Sequence, residues 1–537
     1  MNNVDAVVIG SGPNGLVAAA TLADAGWDVA VVEAQPTAGG AVRSAELVPG
    51  YCSDLFSAFY PLSAVSPAIR GLDLEAHGLR WSYAPKALGH ARSADDEDAP
   101  VIHPDPADTA ADLERRQPGD GDAWMQLVEQ WHDIKDPLIN TLFSPFPPVR
   151  GPGRLLRQLG TADTLRLARF LLLPARRMAH ELFRSEAARV LLLGNAMHAD
   201  VPPDSAGSGV MGYILTMLAQ DHGYPVPMGG AGELAAAMVR RGERAGAQYH
   251  YNDAVTAIDV RAGRAVGVRT ASGAHFLARR AVVADVSAPA LYGSLLPDAA
   301  VSSRLRDDLR HFEWDTPVVK VNYALSQKIP WRSASLAGAG TVHLGAGDDG
   351  LVHWMADLTT GIVPEIPFLL FGQMTTSDPT RSPEGTESAW AYTHLPRGVS
   401  DDASAELLAQ RVDDVLEAHA PGFKDIVVGR VVQRPSDLEA SNANLVGGAV
   451  NGGTAQLHQQ LVFRPGPGNA RAETPISGLY LGSSSAHPGG GVHGVCGLNA
   501  AHAALSADGP RGWLRRRTST SVIDLLSKGP KGKPFEK

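Results

Sequence analysis

The sequence is poor in cysteine, in long apolar runs and in positive charge. Only Cys52 and Cys496 occur among 537 residues, with no CxxC pair, which argues against a disulfide scaffold, a zinc site and a dithiol redox centre. No stretch approaches the roughly 20 apolar residues that span a bilayer. The net charge of −10 argues against a nucleic-acid partner, because such a partner requires a basic surface.

The remaining bulk features are those of an ordinary globular protein. Hydrophobic residues make up 44% and charged residues 19% of the chain. A chain of this length exceeds one ordinary core, so we expect two or three subdomains. The first ten residues, MNNVDAVVIG, lead directly into a predicted strand. We therefore expect no signal peptide and a cytoplasmic protein.

A dinucleotide-binding motif occupies residues 5–33, which read as strand, glycine turn, helix and second strand. Gly10, Gly12 and Gly15 fill the pattern GxGxxG. Gly10 permits the tight turn, Gly12 lets the backbone approach a pyrophosphate, and Gly15 allows close packing of the helix on the strand. The helix N-terminus would then present its N–H groups to the phosphates.

The residues after this motif extend the predicted nucleotide site. Glu33 ends the second strand, where its carboxylate can accept both ribose hydroxyls and would repel the 2′-phosphate of NADP. Gly39 and Gly40 follow, and two residues without side chains can let the backbone pass close to a ligand; an ordinary turn is the alternative. No second GxGxxG follows a predicted strand, so we expect no separate NAD(P)H domain.

The periodicity along the chain predicts an α/β fold with a discontinuous, Rossmann-like nucleotide-binding domain. Residues 105–224 show helical spacing, and strands predicted at 248–260, 265–270 and 275–283 would complete the sheet begun at the N-terminus. An α+β substrate domain would be inserted between the parts of the nucleotide domain. The predicted boundaries are 1–70, 225–300 and 435–510 for the nucleotide domain, 71–224 and 301–434 for the substrate domain, and 511–537 for a basic, disordered tail.

Two polar residues stand out from their surroundings in the pattern, one in a strand and one in a loop. Residues 318–325 alternate as a strand, which places Lys320 on the face opposite Val319 and Val321. A buried lysine is costly unless it is compensated, so Lys320 either serves a ligand or forms a salt bridge at the sheet edge. His487 lies in a loop of small residues between a strand and a helix, and a hydrogen-bonded loop histidine is the alternative to a functional one.

Two further segments have open interpretations. Residues 165–183 combine arginines with a strongly apolar face, so they could lie on a membrane surface, cover an apolar cavity, or form a core helix kinked at Pro174. The acidic cluster at residues 95–98 is predicted to be a solvated loop.

Several longer motifs match a known family: LVPGYCSDLFSAFYPL at 47–62, GNAMHAD at 194–200, MGGAGEL at 228–234, SDPTRSPEGTESAW at 377–390 and AHPGGGVHGVCGLNAA at 486–501. With the N-terminal motif, these make the chain resemble the phytoene-desaturase-like FAD flavoproteins, relatives of the amine oxidases with a glutathione-reductase-type nucleotide domain. Within them it is most similar to the branch named for pyridine nucleotide-disulfide oxidoreductase domains, although it lacks a redox dithiol.

The resemblance implies FAD as the cofactor and no metal. Val255 would contact the adenine through its backbone, Lys320 would hold a water near the flavin, and His487 would lie beside the flavin or orient the substrate. The positions implied to bind FAD are Gly10, Gly12, Pro13, Asn14, Gly15, Glu33, Ala34, Gly39, Gly40, Arg43, Ser44, Val255, Gly482, Gly491 and Val492.

The implied activity is that of an FAD-dependent dehydrogenase, desaturase or oxidase. It would remove a hydride equivalent from a C–H bond of a largely apolar small molecule and pass the electrons to oxygen, a quinone or another acceptor. A flavin-dependent isomerase and a non-catalytic binding protein that keeps the fold are the alternatives. The sequence leaves open peripheral contact with a membrane and a homodimer.

Overall fold

The computed structural model describes residues 2–509, Gly512 and Ser521, and the predicted disordered tail falls almost wholly outside these residues. The strands are β1 (Asn2–Ile9), β2 (Val29–Val32), β3 (Ser44–Val48), β4 (Tyr51–Asp54), β5 (Trp81–Ser82), β6 (Lys86–His90), β7 (Val101–Ile102), β8 (Val226–Pro227), β9 (Gln248–His250), β10 (Val255–Arg261), β11 (Arg264–Thr270), β12 (His275–Ala284), β13 (Val318–Leu325), β14 (Ala339–Leu344), β15 (Leu369–Gln373), β16 (Glu387–His394), β17 (Val427–Gln433) and β18 (Leu479–Leu481). The α-helices are α1 (Pro13–Asp24), α2 (Pro61–Val65), α3 (Pro67–Arg70), α4 (Pro106–Arg116), α5 (Asp120–Phe143), α6 (Arg150–Leu172), α7 (Ala175–Leu182), α8 (Glu186–Ala196), α9 (Ser208–His222), α10 (Ala231–Ala245), α11 (Ala288–Ala290), α12 (Ser303–Leu309), α13 (Asp348–Thr360), α14 (Met374–Ser377), α15 (Asp402–His419), α16 (Pro435–Ser441) and α17 (Val495–Asp508).

The first sheet contains the N-terminal motif and has the order β10-β11-β12-β1-β2-β9, with β18 also pairing with β12. Its centre is parallel: β1 lies between β12 and β2, and β9 and β18 extend it on either side. Both faces of β1 are buried, because Ala6 and Val8 pack towards α1 and α17 while Val7 and Ile9 pack on the opposite side. This is a Rossmann-like sheet, as the sequence predicts.

The second sheet has the order β17-β13-β16-β15-β14-β6-β7 and is antiparallel except where β14 pairs with β6. Val319, Val321 and Tyr323 face a core shared with α15, and Lys320 lies on the opposite face. The α/β fold class is therefore confirmed. The exact domain boundaries stay a prediction, although the two sheets draw their strands from the expected parts of the chain.

The structure corrects three local expectations. The acidic cluster is not simply a solvated loop, because Asp96 is buried and its carboxylate accepts from the Arg92 guanidinium at 2.7 Å. The segment around Pro174 is two helices rather than one kinked helix, since α6 ends at Leu172 and α7 begins at Ala175. The strand predicted at 248–260 divides into β9, which extends the parallel sheet, and β10. None of the helices in residues 2–509 combines the length and apolarity needed to cross a bilayer.

Candidate active site

One cavity of about 940 Å³ joins the glycine loop between β1 and α1 to the second sheet. The rest of its lining includes residues 55–62, parts of residues 441–461, mostly apolar side chains of α5, α6 and α9, and Trp390 and Tyr392 of β16. Twelve of the site residues predicted from the sequence line this cavity: Gly10, Gly12, Pro13, Asn14, Glu33, Ala34, Gly40, Val255, Lys320, His487, Gly491 and Val492. Sequence positions almost 500 residues apart thus meet around one space.

The glycine loop is packed so closely that side chains cannot replace its hydrogens. A Cβ at Gly15 would overlap the carbonyl oxygen of Gly10, and a Cβ at Gly40 would lie 2.9 Å from the Cα of Gly12. The first turn of α1 faces the cavity through Gly12, Pro13 and Asn14. This geometry fits an anion held at a helix N-terminus.

Glu33 lies at the end of β2, where the sequence predicts a ribose ligand. Its carboxylate is buried and accepts hydrogen bonds from the Ser11 N–H at 2.8 Å, the Ser11 hydroxyl at 2.6 Å and the Gln35 N–H at 2.9 Å. A carboxylate offers about four acceptor sites, so roughly one is left for a ribose hydroxyl. The contacts from Ser11 and Gln35 hold the group in place.

Lys320 is buried in the cavity wall, and within the described part of the chain no carboxylate side chain forms a salt bridge with it. Its ammonium donates to the backbone carbonyls of Asp54 and, at 3.3 Å, Phe56, and it lies 5.4 Å from the centre of the Trp390 ring. Burial lowers the pKa of Lys320 to about 7; the Asp54 carboxylate opposes this shift and the Arg381 guanidinium adds to it. Two of the three ammonium hydrogens are used, which leaves one to serve a ligand or water. The predicted salt bridge at a sheet edge is not what the structure shows.

Three of the longer sequence motifs meet beneath Lys320. The fully buried Arg381 guanidinium donates to Asp54 Oδ2 at 2.9 Å and to Asp378 Oδ2 at 2.7 Å. Asp54 also accepts from the Ala231 N–H at 2.7 Å, and Asp378 accepts from the Gly229 N–H at 2.7 Å. This buried charge network, Asp54–Arg381–Asp378, fixes the chain segment whose carbonyls hold Lys320.

His487 has one of its ring nitrogens fixed by the backbone. Its Nε2 donates to the Ser144 carbonyl at 3.1 Å, and the ring lies edge-on to Phe146. Because a carbonyl only accepts, Nδ1 carries the lone pair, and it is buried without a partner among the described residues. Burial lowers the pKa of His487. His493 has a structural position instead: its Nδ1 accepts from the Val495 N–H at 3.0 Å, at the start of α17.

A row of buried histidines beside the cavity was not predicted from the sequence. His198 lines the cavity, and its Nε2 lies 3.0 Å from Nε2 of His343. His90 donates from Nε2 to the Ala346 carbonyl at 2.7 Å. Burial lowers the pKa of His198 to about 3 and that of His90 to about 4, so both are neutral near pH 7. The sequence signal for these histidines was the motif GNAMHAD, which contains both His198 and Gly194. Gly194 leaves room for the other two rings, because a Cβ there would overlap the His343 ring and lie 2.6 Å from Nδ1 of His90.

Comparison with known proteins identifies the family of this chain. The sequence profile of the family described as "Flavin containing amine oxidoreductase" matches residues 14–505. The chain belongs to this family. Its cofactor is FAD, and it is an FAD oxidoreductase of the amine oxidase and desaturase type.

Individual relatives of this flavoprotein cover nearly its whole length. The rat (Rattus norvegicus) pyridine nucleotide-disulfide oxidoreductase domain-containing protein 2 is 29% identical, over 93% of this chain and 92% of its own. The neurosporene-forming phytoene desaturase of Cereibacter sphaeroides is 26% identical, over 94% of this chain and 95% of its own. The solved structure of putrescine oxidase bound to putrescine has a TM-score of 0.58 at 17% identity, over 94% of this chain and 98% of that one, which supports the fold.

The residues around the cavity fit an FAD molecule. The glycine loop, the first turn of α1, the carboxylate of Glu33 and the buried, unpartnered Oδ1 of Asn14 all meet the cavity within the described part of the chain. When bound, FAD supplies a two-electron acceptor. Opposite the loop, the buried Arg464 guanidinium donates to backbone carbonyls of residues 451–454 and of Ser484 and so holds a lining loop of the flavoprotein in place.

Five positions that the sequence implies as FAD ligands do not line the cavity: Gly15, Gly39, Arg43, Ser44 and Gly482. The Ser44 hydroxyl donates to Asp54 Oδ1 at 2.9 Å and accepts from the Gly232 N–H at 2.9 Å, so it anchors α10. The Arg43 guanidinium donates to two backbone carbonyls and lies over the Phe56 ring. Ser44 and Arg43 thus hold neighbouring segments of the flavoprotein in place. Direct contact with FAD stays a prediction for all five residues.

Proposed function

We propose that this protein is an FAD-dependent dehydrogenase, desaturase or oxidase that removes a hydride equivalent from a C–H bond of a largely apolar small molecule. The observation that carries the proposal is the composition of the cavity wall. Of the described residues that line the cavity, Glu33 and Asp285 are the only carboxylates, and both lie at the glycine loop. Lys320 is the only lysine or arginine among the described residues of this lining. The substrate end therefore offers no carboxylate to a cationic substrate and a largely apolar wall to a neutral one.

The relatives point to two kinds of substrate, and the composition of the cavity wall favours one of them. Phytoene desaturase is named for a reaction on phytoene, whereas putrescine oxidase was solved with putrescine bound. An amine substrate of this chain would enter a wall that lacks a carboxylate beyond the glycine loop. We infer that the substrate resembles the apolar, desaturase type more than the polyamine type.

The chain's own residues would orient the substrate, exclude water and handle the proton. The apolar side chains of α5, α6 and α9 surround the substrate and keep water out. His487 presents the lone pair of Nδ1, which we assign as the acceptor of the proton that substrate oxidation releases. Lys320 keeps one hydrogen free for a water or a polar substrate group.

The first experiment is the absorption spectrum of the purified protein, followed by anaerobic additions of isoprenoid hydrocarbons, long-chain alcohols and amines. Loss of oxidised-flavin absorbance with an apolar compound is the expected result. Product formation without net flavin reduction would favour the isomerase alternative, and a protein that binds FAD but reacts with nothing would favour the binding protein. Reoxidation by oxygen or by a quinone then identifies the acceptor.

The catalytic assignments are tested with the compound that reduces the flavin. His487→Ala should slow flavin reduction by about 100-fold or more, in the range for loss of a general base. His311→Ala, at an exposed site on the surface, is the matched control. Unchanged reduction rates in both His487→Ala and Lys320→Met would show that the assignment is wrong.

We also propose that α6 lies against an anionic membrane surface. Val149, Leu165 and Leu172 are 72%, 66% and 59% exposed, and Leu172 also lines the cavity, so an apolar substrate could enter from the lipid. Five exposed arginines accompany these residues, on both sides of Gly160, where the backbone is not helical and divides α6 into two pieces: Arg150, Arg154 and Arg157 precede Gly160, and Arg166 and Arg169 follow it.

Vesicles of zwitterionic lipid, with and without an anionic lipid, test this surface. The protein should sediment with the anionic vesicles at low salt and dissociate at high salt, because surface charges are screened. Leu165→Ser with Leu172→Ser should abolish sedimentation, while Leu407→Ser, on the exposed face of α15, should not. Equal sedimentation of both variants, or none of the wild type, would refute the membrane proposal.

A further inference from the structure

Asp285 is a buried carboxyl group directly behind the glycine loop. It follows the last residue of β12, at the carboxyl edge of the parallel sheet, and it is 6% exposed. Its Oδ2 accepts from the Gly15 N–H at 2.9 Å, and a Cβ at Gly12 would lie 2.8 Å from the same oxygen. Asp285 also lines the cavity. An acidic side chain thus occupies the place where the helix end attracts a diphosphate.

Few backbone donors are left at this helix end. Pro13 has no N–H, the Gly15 N–H is taken by Asp285, and the Ser11 N–H is taken by Glu33. A diphosphate therefore cannot rely on a full set of free N–H groups at α1, as it would at an unobstructed helix N-terminus. The protonation state of Asp285 therefore determines whether the diphosphate binds beside a neutral carboxylic acid or a negative carboxylate.

The charges around Asp285 favour its neutral form. Asp285 interacts electrostatically with the carboxylate of Glu33 and with the buried Cys496 thiol of α17, and Asn444 donates to its backbone carbonyl at 3.1 Å. Arg43, the cation nearest to Glu33, directs its hydrogen bonds to backbone carbonyls. Among the described residues, no lysine, arginine or histidine pairs with Asp285. Burial, then Glu33, raises the pKa of Asp285 to about 7, and the Gly15 N–H opposes the shift.

We propose that Asp285 is a cofactor-binding residue that accommodates FAD only as the neutral carboxylic acid, so that FAD binding takes up one proton from solvent. Ionised Asp285 would put a further negative charge against the doubly charged diphosphate in a buried site, where charge repulsion is weakly screened. The proton binds the carboxylate of Asp285, and no bond of FAD changes. The inference rests on FAD as the cofactor and not on the proposed substrate.

The first test is the dissociation constant of FAD for the apoprotein between pH 6 and pH 9, measured by flavin fluorescence. With the pKa of Asp285 at about 7, the wild-type dissociation constant should rise about 50-fold from pH 7 to pH 9. Asp285→Asn keeps an acceptor for Gly15 and should bind FAD with little pH dependence. Glu33→Gln is the matched control: it should weaken binding at every pH and retain the steep pH dependence. A flat wild-type profile, or an equally steep Asp285→Asn profile, would overturn the proposal.

Titration calorimetry on the wild-type protein tests the proton uptake directly, without a variant. FAD is titrated into the apoprotein at pH 8 in two buffers of different ionisation enthalpy, and the difference in heat gives the protons taken up. The expected uptake is about 0.9 proton per FAD. FAD binding with uptake below about 0.2 proton would refute the role of Asp285 alone. A protein that binds no FAD at all would refute both this inference and the proposed function.

Discussion

Replacing Arg381 with methionine tests the buried charge network Asp54–Arg381–Asp378. In the wild type, one guanidinium compensates two carboxylates, and all three side chains are inaccessible to solvent. Arg381→Met keeps much of the volume but leaves both carboxylates buried without a cation. Removing one partner of a buried ion pair costs about 3–5 kcal/mol, because the remaining charge is uncompensated.

This cost translates into a measurable loss of thermal stability. The unfolding entropy is about 2.1 cal/mol/K per residue, so a chain of this length loses roughly 1 °C of midpoint per kcal/mol. Arg381→Met should therefore melt about 3–5 °C below the wild type, and further below if the network's domain unfolds as a separate unit. Scanning calorimetry of the FAD-loaded proteins at one fixed scan rate gives the comparison.

Two controls separate the network from general effects of losing an arginine. Arg169→Met removes an exposed ion pair with Glu181 that solvent screens, so its midpoint should stay within about 1 °C of the wild type. A triple variant, Arg381→Met with Asp54→Asn and Asp378→Asn, removes all three charges and keeps oxygen acceptors for the backbone. It should recover most of the loss. A triple variant as unstable as Arg381→Met would refute the explanation by uncompensated charge.

Three further predictions follow from the site. Gly15→Ala should lower FAD affinity more than tenfold in a fluorescence titration, because its Cβ overlaps the glycine loop; Gly153→Ala, with open space around it, should not. Burial lowers the pKa of Lys320 to about 7, so its buried charge destabilises the folded protein fully below pH 7 and less as the pH rises. In urea unfolding, the wild type should therefore gain about 2 kcal/mol of stability relative to Lys320→Met between pH 7 and pH 9. A constant difference between the two proteins would contradict this. Gly194→Ala should lower the free energy of unfolding by about 1–3 kcal/mol in the same assay, because its Cβ overlaps the His343 ring. Gly153→Ala is again the control.

The N-terminal motif was predictable because its signals are local. Glycine spacing and apolar periodicity over residues 5–33 specify a strand, turn, helix and strand, and the structure shows β1, α1 and β2 there. The alternation in β13 likewise placed Lys320 opposite Val319 correctly. Such patterns depend on the repeat of a single helix or strand, which a short stretch of sequence contains in full.

The surroundings of each side chain were decided only by the tertiary structure. Arg381, Asp54 and Gly229 lie in separate motifs, and nothing in their spacing shows that they meet beneath Lys320. Asp285 carries no motif of its own, and its importance arises from its distance to Gly15 in α1. Burial, charge compensation and pKa depend on contacts between distant segments. The sequence by itself determined the cofactor fold and its loop, and the packing of the two sheets determined which polar groups face the cavity.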